Sequence, residues 1–182
     1  MISINLFGSP CSGKSTIAAY LYHDLKSKDC SVELVREFAK DVIYEGSHLK
    51  FRNQLHITGE QYKRMQDIAS NDKDGVSLIV TDCPLLLGKI YAKLNEKTFP
   101  AWKTFCKLLD ELNNEFENFN VFINRAKKYN PKGRFQSEAE SDALALEIKK
   151  LVKFDLEIKG DKAGQEFLAE TVYRRYKDRI AS

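Results

Sequence analysis

The chain has 182 residues, a net charge of +3, 43% hydrophobic residues and a single Trp beside 8 Tyr and 11 Phe, which suits one globular domain with a core of its own. No run approaches the ~18 consecutive apolar residues of a membrane span, and a charge this small does not by itself mark a nucleic-acid binder. The 4 cysteines, Cys11, Cys30, Cys83 and Cys106, stand far apart with no CxxC or Cys/His cluster, which argues against a structural zinc site or a disulfide framework and for reduced thiols in a cytoplasmic setting.

Residues 2–7 read as a short buried strand with no basic segment or cleavage site before it, so no signal peptide is expected. The strand runs into Gly8-Ser9-Pro10-Cys11-Ser12-Gly13-Lys14-Ser15, followed by Thr16. This is the pattern G-x-x-x-x-G-K-[ST], and its chemistry is geometric. Gly8 and Gly13 allow backbone conformations and a close approach that side chains would block. The amide N–H groups between them turn inward to cradle phosphates, and the N-terminus of the following helix adds its dipole. Lys14 is placed to reach the β- and γ-phosphates of ATP and the Ser15 hydroxyl to bind Mg²⁺. A helix is predicted over 14–27, where Ile17, Ala18, Leu21, Tyr22 and Leu25 make one apolar face.

A second short strand is expected over 32–35 and a helix over 36–44. Directly after that strand Arg36-Glu37 forms a candidate acceptor-binding pair: a carboxylate to take a proton from a substrate hydroxyl and an arginine to grip a polar or anionic substrate. If that strand pairs beside the first, both side chains emerge at the edge that carries the phosphate loop. Residues 48–58 show no clear period, and 60–72 read as helix. The clearest strand is 76–80, apolar and β-branched, and it ends at Thr81-Asp82-Cys83-Pro84. An acid at the C-terminal end of such a strand is where phosphate-loop enzymes place their metal-shell carboxylate. Asp82 is therefore a candidate metal and catalytic residue.

A helix is predicted over 102–116, a strand over 119–123, a helix over 137–152 with Ser137 and Glu140 as a capping box, a strand over 154–158 and a last helix over 162–178. The basic segment that contains Arg125, Lys127, Lys128, Lys132 and Arg134 lies between a strand and a helix. It reads as a lid, approximately 125–136, with Arg125 and Arg134 as the cations that close over a transferring phosphoryl group. The turn at Lys159-Gly160-Asp161-Lys162 could flank a base. The three histidines fall in no metal-ligand spacing. Strands alternating with helices predict one α/β domain over 1–182, with about five parallel strands and helices on both faces, the P-loop NTPase plan.

The stretches GSPCSGKST, VREFAKD, LIVTDCPL and RFQSEAE, in this order and spacing, resemble the NadR-type P-loop kinases, AAA-like domains whose best-known member phosphorylates ribosylnicotinamide. The resemblance implies a kinase core with a lid after the fourth strand. It matches Arg36 and Glu37 to the family's Arg-Glu pair near the acceptor, Asp82 to the acid ending the third strand, and Arg134 to a lid arginine. It supplies no match to a nicotinamide site and no adenylyltransferase part. The expected activity is transfer of the ATP γ-phosphoryl, with Mg²⁺, to a nucleoside-like or nucleotide acceptor. A kinase acting on a modified base or hydroxyl in DNA and a nucleotide-gated switch are the alternatives.

Overall fold

The computed structural model describes residues 1–46, 53–70, 75–95, 97–131 and 136–181. Its centre is a 5-stranded sheet of β1 (Ile2–Phe7), β2 (Val32–Val35), β3 (Leu78–Thr81), β4 (Glu117–Asn124) and β5 (Leu156–Lys159). The spatial order is β2-β3-β1-β4-β5 and every pairing is parallel. Parallel neighbours need crossover helices, and these cover both faces of the sheet. The helices are α1 (Lys14–Lys26), α2 (Phe38–Tyr44), α3 (Gln54–Ala69), α4 (Leu87–Leu94), α5 (Trp102–Asn113), α6 (Glu138–Leu151) and α7 (Lys162–Ile180).

The period-2 alternation of β1 sorts the two cores. Ile2, Ile4 and Leu6 face a cluster built with Ile17, Leu21 and Leu25 of α1 and Leu168, Val172 and Tyr176 of α7. Phe7, on the opposite face, packs with Phe122, with Leu87 and Ile90 of α4, and with Leu144 and Ile148 of α6. Met65 of α3 joins Val35, Ile79 and Leu85 in a neighbouring cluster on that same side. Beside Phe7 that face of β1 is polar. The buried Ser3 hydroxyl donates to Asn5 Oδ1 at 2.9 Å, and Asn5 Nδ2 donates to Asn118 Oδ1 at 2.7 Å and Asn120 Oδ1 at 3.0 Å on β4.

Several expectations need correction. The second strand pairs with β3, so β3 separates it from β1. The helix expected over 60–72 begins at Gln54, where the Asn53 side chain accepts from the His56 amide and caps it. α4 follows Pro84, a residue that stops a strand or opens the helix after it, and carries Gly88 in its first turn. A Cβ at Gly88 would stand 2.7 Å from Thr58 Oγ1 and 2.9 Å from Leu109 Cδ1, so a low-propensity residue is what lets α3, α4 and α5 approach. The capping box of Ser137 and Glu140 is present at the start of α6.

Candidate active site

Ligand sites in open parallel sheets form beyond the carboxyl ends of the strands, and here the ends of β1, β3 and β2 converge. After β1 the chain takes positive φ at Gly8 (150°), Cys11 (64°) and Gly13 (99°), which curls residues 8–13 into the loop that opens α1. α1 has no side-chain cap hydrogen bond and no acidic residue in its first turn. Its N-terminal amides are thus left for a ligand, unlike those of α3, α6 and α7, which Asn53, Ser137 and Asp161 cap. Ser12 Oγ is buried without a hydrogen-bond partner among the described residues. Lys14 Nζ donates across the loop to the Gly8 carbonyl at 2.7 Å and the Ser9 carbonyl at 3.2 Å. Burial pushes the Lys14 ammonium below its ordinary pKa, against the pull of Glu37 and Asp82.

The loop forms one wall of a groove of about 610 Å³, within the ~300–1,000 Å³ of small-ligand sites. Lys40, Lys127, Lys128 and Lys162 also line it, which gives it a cationic rim. Its floor owes its shape to Gly160. A Cβ there would lie 2.0 Å from the Ser12 carbonyl oxygen, and the Gly160 amide donates to the Asn124 carbonyl at 2.8 Å. Gly160→Ala must therefore push the phosphate loop outward. The expected result is a stability loss of about 1–3 kcal/mol and ATP binding weakened by an order of magnitude or more, read by thermal denaturation and by calorimetric titration. Unchanged ATP affinity would show that the loop does not need this seat.

At the end of β3, Asp82 is 5% exposed. Its Oδ2 accepts from the Ser15 hydroxyl at 2.5 Å and from Lys40 Nζ at 3.1 Å, while its Oδ1 accepts from the Glu37 amide at 3.1 Å. Lys40, from the first turn of α2, also donates to Ser15 Oγ at 2.6 Å and pairs with Glu37 Oε2 at 3.2 Å. Burial works to lower the Lys40 pKa, but Glu37 and Asp82 outweigh it and hold the ammonium above its ordinary value. A hydroxyl and a carboxylate oxygen, already gathered around one positive charge, form a hard-oxygen seat of the kind Mg²⁺ takes together with substrate phosphates. The residues thus fit that ion. Among the described residues no group of three or more His, Cys, Asp or Glu is arranged to hold a metal on its own.

Behind Glu37 a second, narrower recess opens between α3 and α4, about 50 Å³ in size. Its polar lining includes Gln54, Thr58, Gln61 and Cys83. Gln61 is fixed at both ends: its Oε1 accepts from the Phe38 amide at 2.9 Å and its Nε2 donates to Thr81 Oγ1 at 3.4 Å. Burial, helped by the charges of Glu37 and Asp82, drives the Cys83 pKa well up, so the thiol stays protonated and is a neutral wall, not a nucleophile. Among the described residues Glu37 is the single one common to the linings of the groove and the recess.

The remaining candidates fall apart from this cluster or outside the description. Arg36 is exposed and lines neither cavity. Arg125 is turned to the start of α6, donating to Glu138 at 3.0 Å and Asp142 at 2.7 Å. Arg134 lies outside the described residues. Gly160 entered sequence reasoning only within a turn that could flank a base, and Lys40 and Gln61 were not singled out at all. Of the latter two only Lys40 left a trace, the Glu-x-x-Lys spacing that puts an ion pair on one helix face.

A family model described as AAA domain matches residues 3–155. No curated protein matches the chain by sequence. Among solved structures, the deoxyadenosine kinase of M. mycoides with bound dATP is 18% identical with a TM-score of 0.56, over 95% of this chain and 100% of that one. The shikimate kinase of Aquifex aeolicus is 19% identical with a TM-score of 0.49, over 97% of this chain and 96% of that one. The APS kinase of Mycobacterium tuberculosis is 16% identical with a TM-score of 0.47, over 97% of each chain. At such identities the likeness is one of fold, and that fold is the α/β P-loop NTPase fold.

Proposed function

We propose that this chain, which belongs to the AAA domain family, is an ATP-dependent kinase that transfers the γ-phosphoryl group to a hydroxyl of a nucleoside-like or nucleotide acceptor. The observation that carries the reading is the position of Glu37. It stands where the phosphate groove meets the recess between α3 and α4, so a carboxylate separates the place for the donor from a place for an acceptor. A switch needs a nucleotide groove only; a transferase needs two cavities and a base between them.

The parts divide the work as follows. Backbone amides of residues 8–13 and the start of α1 hold the phosphates, and Lys14 leaves the Gly8 and Ser9 carbonyls to meet them. The unpartnered Ser12 hydroxyl is available to a phosphate oxygen. Ser15 Oγ and Asp82 would hold Mg²⁺, whose charge would offset the negative charge of the phosphates during transfer. Glu37 accepts the proton of the acceptor hydroxyl as it attacks. Lys127 and Lys128, on the rim of the groove, supply the positive charge first sought in Arg125 and Arg134, which stay part of the proposed lid over 125–136. Attack needs the acceptor oxygen about 3–3.5 Å from phosphorus. The recess is tight, so an acceptor of nucleoside size has to part α3 from α4 as it enters. The sequence contains no Asn-Lys-x-Asp-like guanine-reading motif, which supports ATP over GTP.

Among the described residues no helix is long and apolar enough to cross a membrane; a cytoplasmic site of action is part of the same proposal. The test is acceptor-dependent ADP release over a panel of nucleosides, nucleoside monophosphates and ribosylnicotinamide. Turnover with at least one of them is expected, and none with any would sink the small-molecule reading. Labelled phosphate appearing in DNA, with binding that weakens steeply in salt, would move the acceptor to a polynucleotide.

A further inference from the structure

The molecule contains a second cation that the kinase reading does not use. Lys40 Nζ lies 2.6 Å from Ser15 Oγ, 3.1 Å from Asp82 Oδ2 and 3.2 Å from Glu37 Oε2. An ammonium has three donors and no acceptor, so three oxygens from three segments of the chain saturate it. The pair with Glu37 alone would be an ordinary contact one turn apart on a helix. The contacts with Ser15 and Asp82 are not, because they put the charge on the two residues proposed to bind the metal.

We infer that Lys40 is the resident counter-cation of the divalent-metal seat: its ammonium holds the Ser15 and Asp82 oxygens, and a divalent ion takes those oxygens only as the ammonium leaves them. The inference rests on the reading of Ser15 and Asp82 as metal ligands. It follows from how the oxygens are spent. The Ser15 proton points to Asp82 Oδ2, and the Ser15 oxygen accepts from Lys40. Asp82 Oδ1 is tied to the Glu37 amide, which leaves Oδ2 as the oxygen turned to the cation. A divalent ion bound directly at Ser15, about 2.0–2.1 Å away for Mg²⁺, would stand beside the ammonium that already donates to that same oxygen and to Asp82 Oδ2. Two cations at that spot repel each other strongly, since little screening acts at separations of a few ångströms.

The displaced ammonium has somewhere to go. Lys40 lines the phosphate groove, and its side chain keeps a third of its surface exposed, 32%. Its flexible stem can swing the charge from Asp82 onto a terminal phosphate oxygen. Metal and nucleotide arriving together then trade partners with the protein: the divalent ion takes the Asp82 oxygen and the ammonium takes a phosphate oxygen. Lys40 is thereby a positioning residue: it keeps Glu37 and Asp82 together against their mutual repulsion before the ligands arrive, and it couples metal entry to nucleotide entry.

Mn²⁺ titrated into the nucleotide-free protein, followed by the loss of the free-ion electron paramagnetic resonance signal, tests this without any acceptor or turnover. Lys40→Met and Lys40→Gln are expected to bind Mn²⁺ about tenfold tighter or more, because a charge-assisted competitor has been removed. Lys40→Arg, which keeps the charge, and Lys63→Met, which removes an exposed lysine paired with Asp67 on α3, should stay within about twofold of the unmodified protein. Mn²⁺ should also raise the melting temperature of Lys40→Met more than that of the unmodified chain. Equal Mn²⁺ affinities in all five proteins, undetectable binding in all included, overturn the inference and leave the kinase reading untouched. An inactive acceptor panel removes the kinase reading and leaves the Mn²⁺ result standing.

Discussion

Asp82→Asn is expected to lower the turnover of ATP-dependent phosphoryl transfer by at least about a hundredfold. The change is small in shape and large in what it does to three neighbours. The carboxylate accepts from Ser15, from Lys40 and from the Glu37 amide. An asparagine whose oxygen keeps the Glu37 amide must turn its NH₂ group toward the Ser15 hydroxyl and the Lys40 ammonium, donor against donor. The metal seat then has no anionic oxygen, and the lysine loses a partner. The loss should appear in kcat more than in the affinity for nucleotide, since the loop amides that hold the phosphates are untouched. Activity within about threefold of the unmodified chain would make Asp82 a structural residue of the strand end and nothing more.

The second large effect belongs to Glu37→Gln. The glutamine preserves the volume at the junction of the two cavities and still offers an oxygen to Lys40, but it cannot take a proton. A general base contributes about 10²–10⁴-fold, so kcat for acceptor-dependent ADP release should fall in that range while the KM for ATP changes by no more than about twofold. This split separates the two roles that a carboxylate here could play. A residue that only orders Lys40 would alter metal dependence with kcat preserved at saturating metal. A nucleotide-gated switch would show neither effect, since its chemistry involves no acceptor hydroxyl.

Parts of this site were legible in the chain because their chemistry is local. Residues 8–15 form the phosphate loop out of their own sequence, and the strand before and the helix after it are contiguous with it. Asp82 was legible because a β-branched run that ends in an acid and a proline states where a strand stops. The meeting of Glu37 with Asp82 was not, because it depends on strand order. The reading needed β2 beside β1, whereas β3 lies between them. The outcome is tighter than the one expected: Glu37 follows a strand adjacent to that of Asp82 and hydrogen-bonds to it through its own amide.

The extent of α4 was not legible for a different reason: Pro84 allows a helix after it but sets no bounds. Gly88 weakens the local helical signal, yet it is there because Thr58 and Leu109 press on it, and that pressure is a tertiary fact. The beginning of α3 was obscured in the same way by His56, Thr58 and Gly59, residues of poor helix propensity held by the Asn53 cap and by packing. The proposed roles of Arg125 and Arg134 rested on charge, on their place between a strand and a helix and, for Arg134, on a resemblance, and none of these says which anion an arginine will meet. Arg125 meets the acids of α6.

The amides of Asn5, Asn118 and Asn120 have a bearing on the groove, although none of them lines it. An aliphatic β1 could slide against β4 by two residues and still bury its methyl groups, since the side-chain period of a strand is two. Asn5 opposes that slide: in step with β4 its amide donates to both Asn118 and Asn120, and a displaced register would have to rebuild that pair, at about 1–3 kcal/mol for any buried group left unsatisfied. The correct step fixes more than the sheet. β4 carries Asn124, whose carbonyl receives the Gly160 amide, and Gly160 is the seat on which the Ser12 carbonyl rests. The height at which the phosphates are held is thus measured out by a polar ruler at the far end of the same two strands.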